Sequence, residues 1–115
     1  MFQRIIAPLD GSRRAERAIP VAATLARASQ GSIVFLRVVV PRHDGSLYGA
    51  EPSVGVLPSQ LEITIAEADQ YLSSVATIFR EYLTGIKIET EVETGSVAST
   101  ILSTARFEHG DVIVL

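Results

Sequence analysis

Residues 4–12, Arg4-Ile5-Ile6-Ala7-Pro8-Leu9-Asp10-Gly11-Ser12, decide how this chain is read. Arg4 to Leu9 is a short β-compatible run, and Leu9-Asp10-Gly11-Ser12 then turns the chain with glycine and small polar residues. The next segment is helical in pattern. Ala15, Ala18, Ala22, Leu25 and Ala26 recur at helical spacing between Arg13 and Ser29, and their small side chains allow a helix to lie close against a sheet. Ser12 is the natural N-cap of that helix. Pro20 lies inside it, lacks a backbone donor and clashes with the preceding turn, at about 3 kcal/mol in a regular interior. A kink or an irregular first half is therefore expected, with Gly31 closing the helix.

Ile33-Val34-Phe35-Leu36-Arg37-Val38-Val39-Val40 is nearly continuous apolar, as a strand covered on both faces should be. Pro41 to Pro58 is rich in Gly, Pro and Ser, has no periodicity and is longer than most connections, which fits a lid or a disordered segment. Leu61, Ile65, Ala68, Leu72, Val75, Phe79 and Tyr82 then mark one face of a long amphipathic helix. Ile86, Ile88 and Val92 alternate with Lys87, Glu89, Glu91 and Glu93, a charged face that suits an edge strand. Thr94-Gly95-Ser96 leads into a helix from about Val97 to Phe107, with Ile101, Leu102 and Ala105 facing inward and His109-Gly110 at its end. Asp111 to Leu115 begins another buried strand.

The order β-α-β-loop-α-β-α-β, joined by right-handed crossovers, predicts a doubly wound parallel α/β sheet. A buried last strand calls for a covering helix after it, so the expectation is a single, C-terminally truncated domain over residues 1–115.

Composition agrees with one globular domain. The chain has 115 residues, 47% of them hydrophobic and 20% charged, far too apolar for a disordered protein. A net charge of −3 offers no cationic surface for a nucleic-acid backbone, so no nucleic acid is expected as partner. With no cysteine there is no disulfide or thiolate metal site, and a reducing compartment, by default the cytoplasm, is expected. No apolar run approaches the ~20 residues of a membrane span, so no membrane is expected either.

In open parallel sheets ligands bind beyond the carboxyl ends of the strands, near the point where strand order reverses. Asp10, Val38 to Val40 and the end of the last strand should converge there. Asp10 either accepts hydrogen bonds from a ribose or a base, or caps its own turn. Gly11-Ser12 opens a helix whose free N–H groups favour anions, with Arg13 and Arg14 adding positive potential or simply being solvated. There is no Walker loop and no G-x-G-x-x-G after the first strand, which excludes a conventional P-loop NTPase. His43 and His109 have no second ligand at metal-site spacing and read as structural or surface residues. Ser12 lacks the G-x-S-x-G elbow that would make it a nucleophile, and no residue is a convincing general base for phosphoryl transfer. The reading is binding rather than turnover, with no catalytic residue and no metal ligand.

The stretch Arg4 to Ser12 resembles the opening strand and turn of the universal stress protein family. Ala18, Ala22, Leu25 and Ala26 resemble its alanine-rich first helix, and Leu36-Arg37-Val38 its second strand, where histidine more often precedes the valine. Gly95 with Ile101 and Ala105 also fits, and Asp111 to Leu115 resembles the strand that runs into the family's glycine signature. The resemblance implies a five-stranded Rossmann-like sheet of the adenine nucleotide alpha hydrolase type, here with strand order 3-2-1-4 and without the fifth strand and last helix, frequent homodimers and, in one subclass, ATP held by that glycine motif. It implies that Asp10 contacts the adenosine moiety, that Val38 meets adenine through its backbone, and that Ala7 and Pro8 shape the pocket wall, beside Ser12. The expected ligand is ATP or AMP, with or without magnesium, in stress response or signalling. The alternative is a nucleotide-independent regulatory or protein-interaction domain of the same fold.

Overall fold

The computed structural model describes residues 3–41 and 60–115. Four strands form one parallel sheet: β1 (Arg4–Pro8), β2 (Ser32–Val39), β3 (Lys87–Thr94) and β4 (Val112–Ile113), in the order β3-β2-β1-β4. The expected 3-2-1-4 order is the observed one. The helices are α1 (Arg13–Glu16), α2 (Ile19–Ser29), α3 (Gln60–Tyr82) and α4 (Val97–Phe107). The expectation for Pro41 to Pro58, and for His43 within it, falls outside the described residues apart from Pro41 itself.

The run of apolar residues in β1 and β2 is explained by helices on both faces of the sheet. Ile5, Ala7, Ile33 and Phe35 pack with Ala22 and Ala26 of α2 and Leu72 and Ala76 of α3. The alternate residues Ile6, Val34, Leu36 and Val38 pack on the opposite face with Ile101 and Ala105 of α4. Period-two alternation thus buries both sets. Strand β3, which alternates apolar and charged, takes the edge position its pattern calls for.

Pro20 has the effect its ring predicts. The helical stretch is broken after Glu16 and resumes at Ile19, with Pro20 in the first turn of α2, where a missing N–H costs nothing. The end of α2 differs from expectation: Gln30, not Gly31, takes the left-handed conformation, at φ 54. Gly31 is required for another reason. A Cβ there would stand 2.5 Å from the Gln3 carbonyl oxygen.

Three further expectations are corrected. Leu102 is 54% exposed because Ile101 and Ala105 already fill the α4 interface. Leu61 and Tyr82 lie at the two ends of α3 and are exposed, whereas Ala76, and Leu83 just beyond the helix, are buried. β4 has two residues, both half-buried, because only Ile5 and Ile6 of β1 pair with it.

The amino-terminal end of the sheet is held by charge. Arg4 donates from Nε to the Glu108 carbonyl (2.8 Å), and its Nη2 pairs with Glu108 Oε1 (2.6 Å) and Glu89 Oε1 (2.8 Å). Asp111 Oδ2 accepts from the N–H groups of Gln3 and Arg4, each at 2.9 Å. The Arg4 guanidinium holds the Glu108 carboxyl below the usual carboxylate range. Glu91 moves the other way: Glu93 beside it, partial burial and Glu108 push its carboxyl up to about 8.

A carboxyl raised on folding binds a proton that the unfolded chain has released, so stability falls as pH rises from about 4.5 to about 8. Glu91→Gln should flatten that slope and leave the protein the more stable form at the alkaline side of the window. Urea midpoints of both forms on either side of the window check this. Parallel slopes would rule it out.

Candidate functional site

Strand β1 ends at Pro8, and the last backbone bond between β1 and β2 runs from the Leu9 N–H to the Leu36 carbonyl at 2.7 Å. Beyond it the chain leaves the sheet through Asp10-Gly11-Ser12. Gly11 has φ +90, a left-handed backbone that glycine adopts without strain. Asp10 Oδ1 accepts from both the Ser12 N–H (2.9 Å) and the Ser12 hydroxyl (2.6 Å). The same hydroxyl oxygen accepts the Ala15 N–H at 3.1 Å, so Ser12 is the N-cap expected of it.

Asp10 therefore does hold its own turn, as one of its two readings had it. Both bonds end on Oδ1, and Oδ2 takes part in neither. The two Ser12 donors, the hydroxyl above all, hold the Asp10 carboxyl below the usual carboxylate range, so it is an anion at neutral pH.

The turn opens on a cavity of about 540 Å³, within the ~300–1,000 Å³ of small-molecule sites. Pro8, Leu9, Leu36 and Val38 line it from the strand ends. Asp10, Ser12 and Ala15 line it from the turn and α1, and Val97 and Ile101 from the start of α4. Leu115 closes one side, and three cations, Arg14, Arg17 and Arg37, complete the wall. The apolar floor with a few polar groups at the rim suits a flat, partly polar molecule.

Of the expected site residues, Pro8, Asp10, Ser12 and Val38 are brought together on this cavity. Ala7 is not: it is fully buried in the core one residue behind Pro8. Arg13 is exposed and lies off the lining. His109, left-handed at φ 58, sits at the far end of α4 from Val97. Among the described residues no cluster of acidic or histidine side chains is arranged to hold a metal ion. No described helix is long and apolar enough to cross a membrane.

Two features of the site were not anticipated. Arg37 interrupts an otherwise apolar strand, is half-buried, and donates from Nη1 to the Val38 carbonyl at 3.1 Å. A lone charge in a buried run was the signal that marked it. The Tyr71 hydroxyl of α3 donates to Glu16 Oε2 of α1 at 2.5 Å, and burial, with Glu16, pushes the phenol well above its usual range. That bond joins residues 55 apart in sequence, and no local pattern announces it.

A parallel sheet of order 3-2-1-4, flanked by helices and with a cavity beyond the carboxyl ends of its strands, defines a Rossmann-like α/β domain. The chain belongs to the universal stress protein family, whose sequence model matches residues 1–115. Universal stress protein UspA from Lactobacillus plantarum is similar over 99% of this chain and 76% of its own, with 26% identity and a TM-score of 0.77. A universal stress protein family member from Burkholderia pseudomallei shares the fold at 18% identity and a TM-score of 0.72, over 97% of this chain and 79% of its own. A universal stress protein solved in complex with cAMP shares it at 18% identity and a TM-score of 0.70, over 98% of this chain and 75% of its own. No curated protein matches the chain.

Proposed function

We propose that the cavity beyond β1 and β2 binds an adenine nucleotide, ATP or AMP, and that the domain serves stress response or signalling through that binding. The observation that carries this reading is the convergence of Asp10, Ser12, Pro8 and Val38 on one cavity of nucleotide size. An ionised Asp10 with Oδ2 outside its turn bonds suits the hydroxyls of a ribose. The apolar lining from Leu9, Leu36 and Val38 suits the faces of a purine. The cAMP complex of a similar fold supports the same class of ligand.

Calorimetric titration of ATP with magnesium tests it. Asp10→Ala should weaken binding by about tenfold or more, the loss of a hydrogen bond to a charged group. An ATP affinity unchanged by Asp10→Ala would remove Asp10 from the site.

A further inference from the structure

The charge on the cavity wall is unbalanced. Three guanidinium groups, of Arg14, Arg17 and Arg37, line it against a single carboxylate, that of Asp10. Among the described residues the ion pairs involve Arg4 and Lys87 only, so none of these three arginines is within ion-pair distance of a described acid. Arg14 and Arg17 stand three apart on one short helical turn and thus on one side of it. Arg37 comes from a different element, rising from a strand otherwise buried. Its bond to the Val38 carbonyl leaves its other donors outside the sheet's own hydrogen bonding. Arg37 is half-buried, its one hydrogen bond among the described residues goes to a carbonyl, and the Asp10 carboxylate is close enough for the two charges to attract. One carboxylate against three guanidinium groups still leaves a cationic excess that an anionic ligand would offset. Guanidinium groups also match phosphate in shape, two N–H donors to two oxygens.

We propose that Arg14, Arg17 and Arg37 form an anion-binding wall that takes the phosphate end of the ligand, through side chains contributed by α1 and β2. The inference rests on the adenine-nucleotide reading and narrows it: the cavity selects phosphorylated nucleosides over the bare nucleoside. Asp10 remains with the uncharged end, since a carboxylate repels phosphate.

The test compares adenosine with ATP by calorimetry, in the parent chain, in Arg37→Gln and in Arg14→Gln/Arg17→Gln. ATP should bind the parent more tightly than adenosine does, with an advantage that shrinks as salt is raised. Each variant should lose roughly tenfold in ATP affinity while adenosine affinity holds. Inorganic tripolyphosphate should compete with ATP in the parent and fail to do so in the variants. Arg14 and Arg17 are exposed, so their double variant keeps the test sound even where Arg37→Gln folds poorly. Equal affinity of the parent for adenosine and ATP would overturn the arginine wall and leave the nucleotide reading standing. An ATP advantage that survives in the double variant would overturn it as well. Absence of binding by either ligand would overturn both.

Discussion

Phe35→Ala should cost about 3–5 kcal/mol of folding stability, read as a lowered urea midpoint. Phe35 is fully buried on β2, between Ala7 of β1 and Thr90 of β3, and its ring meets that of Phe79 edge-on at 6.4 Å. Truncation opens a void at the junction of the sheet with α3, and α3 is held by few other large side chains: Leu72 and Val75 are its only large aliphatic residues buried there. A domain of this size has about 5–15 kcal/mol in total, so the variant would sit near the limit of folding. Phe35→Leu keeps most of the volume and should cost under about 1.5 kcal/mol. A loss below about 1 kcal/mol for Phe35→Ala would mean that α3 settles into the void.

Gly31→Ala should have the next largest effect, about 1–3 kcal/mol, on the same measurement. The added methyl would stand 2.5 Å from the Gln3 oxygen and 2.8 Å from its carbonyl carbon and Cα, all backbone atoms with no rotamer to yield. The Gln3 carbonyl also accepts the Ser32 N–H at 2.8 Å, the bond that starts the β1–β2 ladder. Pushing Gln3 away therefore weakens the pairing of the two central strands. An unchanged midpoint would show that residue 3 yields freely.

Much of this fold was legible because its elements carry strong, distinct patterns. The double-sided apolar run of β2 and the alternating charge of β3 mark a central and an edge strand, while the full 3-2-1-4 order follows from the family resemblance and not from these patterns alone. Helix ends were less legible. Whether Leu102, Leu61 or Tyr82 is covered depends on which neighbouring residues, Ile101 and Ala105 or Leu83, already fill the interface, which periodicity does not encode. Gly31 was recognised as a helix end, but the physical need it meets is a close approach to Gln3, a contact between elements. At the site, the turn residues Asp10 and Ser12 were readable because turn chemistry is local. Arg17 and Arg37 were missed as a pair because they come together only when β2 lies beside β1.

The charge cluster around Arg4 has a further consequence, for motion. It ties β1 to β3 and to the end of α4 at one end of the strands, and Asp111 ties the same end to β4. At the other end, where the cavity lies, the Tyr71–Glu16 bond holds α1 to α3, but no ion pair among the described residues joins the strands: β1 stops at a proline and its last ladder bond is that of Leu9. Thermal fluctuation should therefore be graded along β1, with its cavity end opening more often than the core unfolds. Within β1, β2 and the turn that follows β1, amide protons should exchange faster at Asp10 and Gly11 than at Ile5 and Ile33, so the cavity end can open while the domain stays folded.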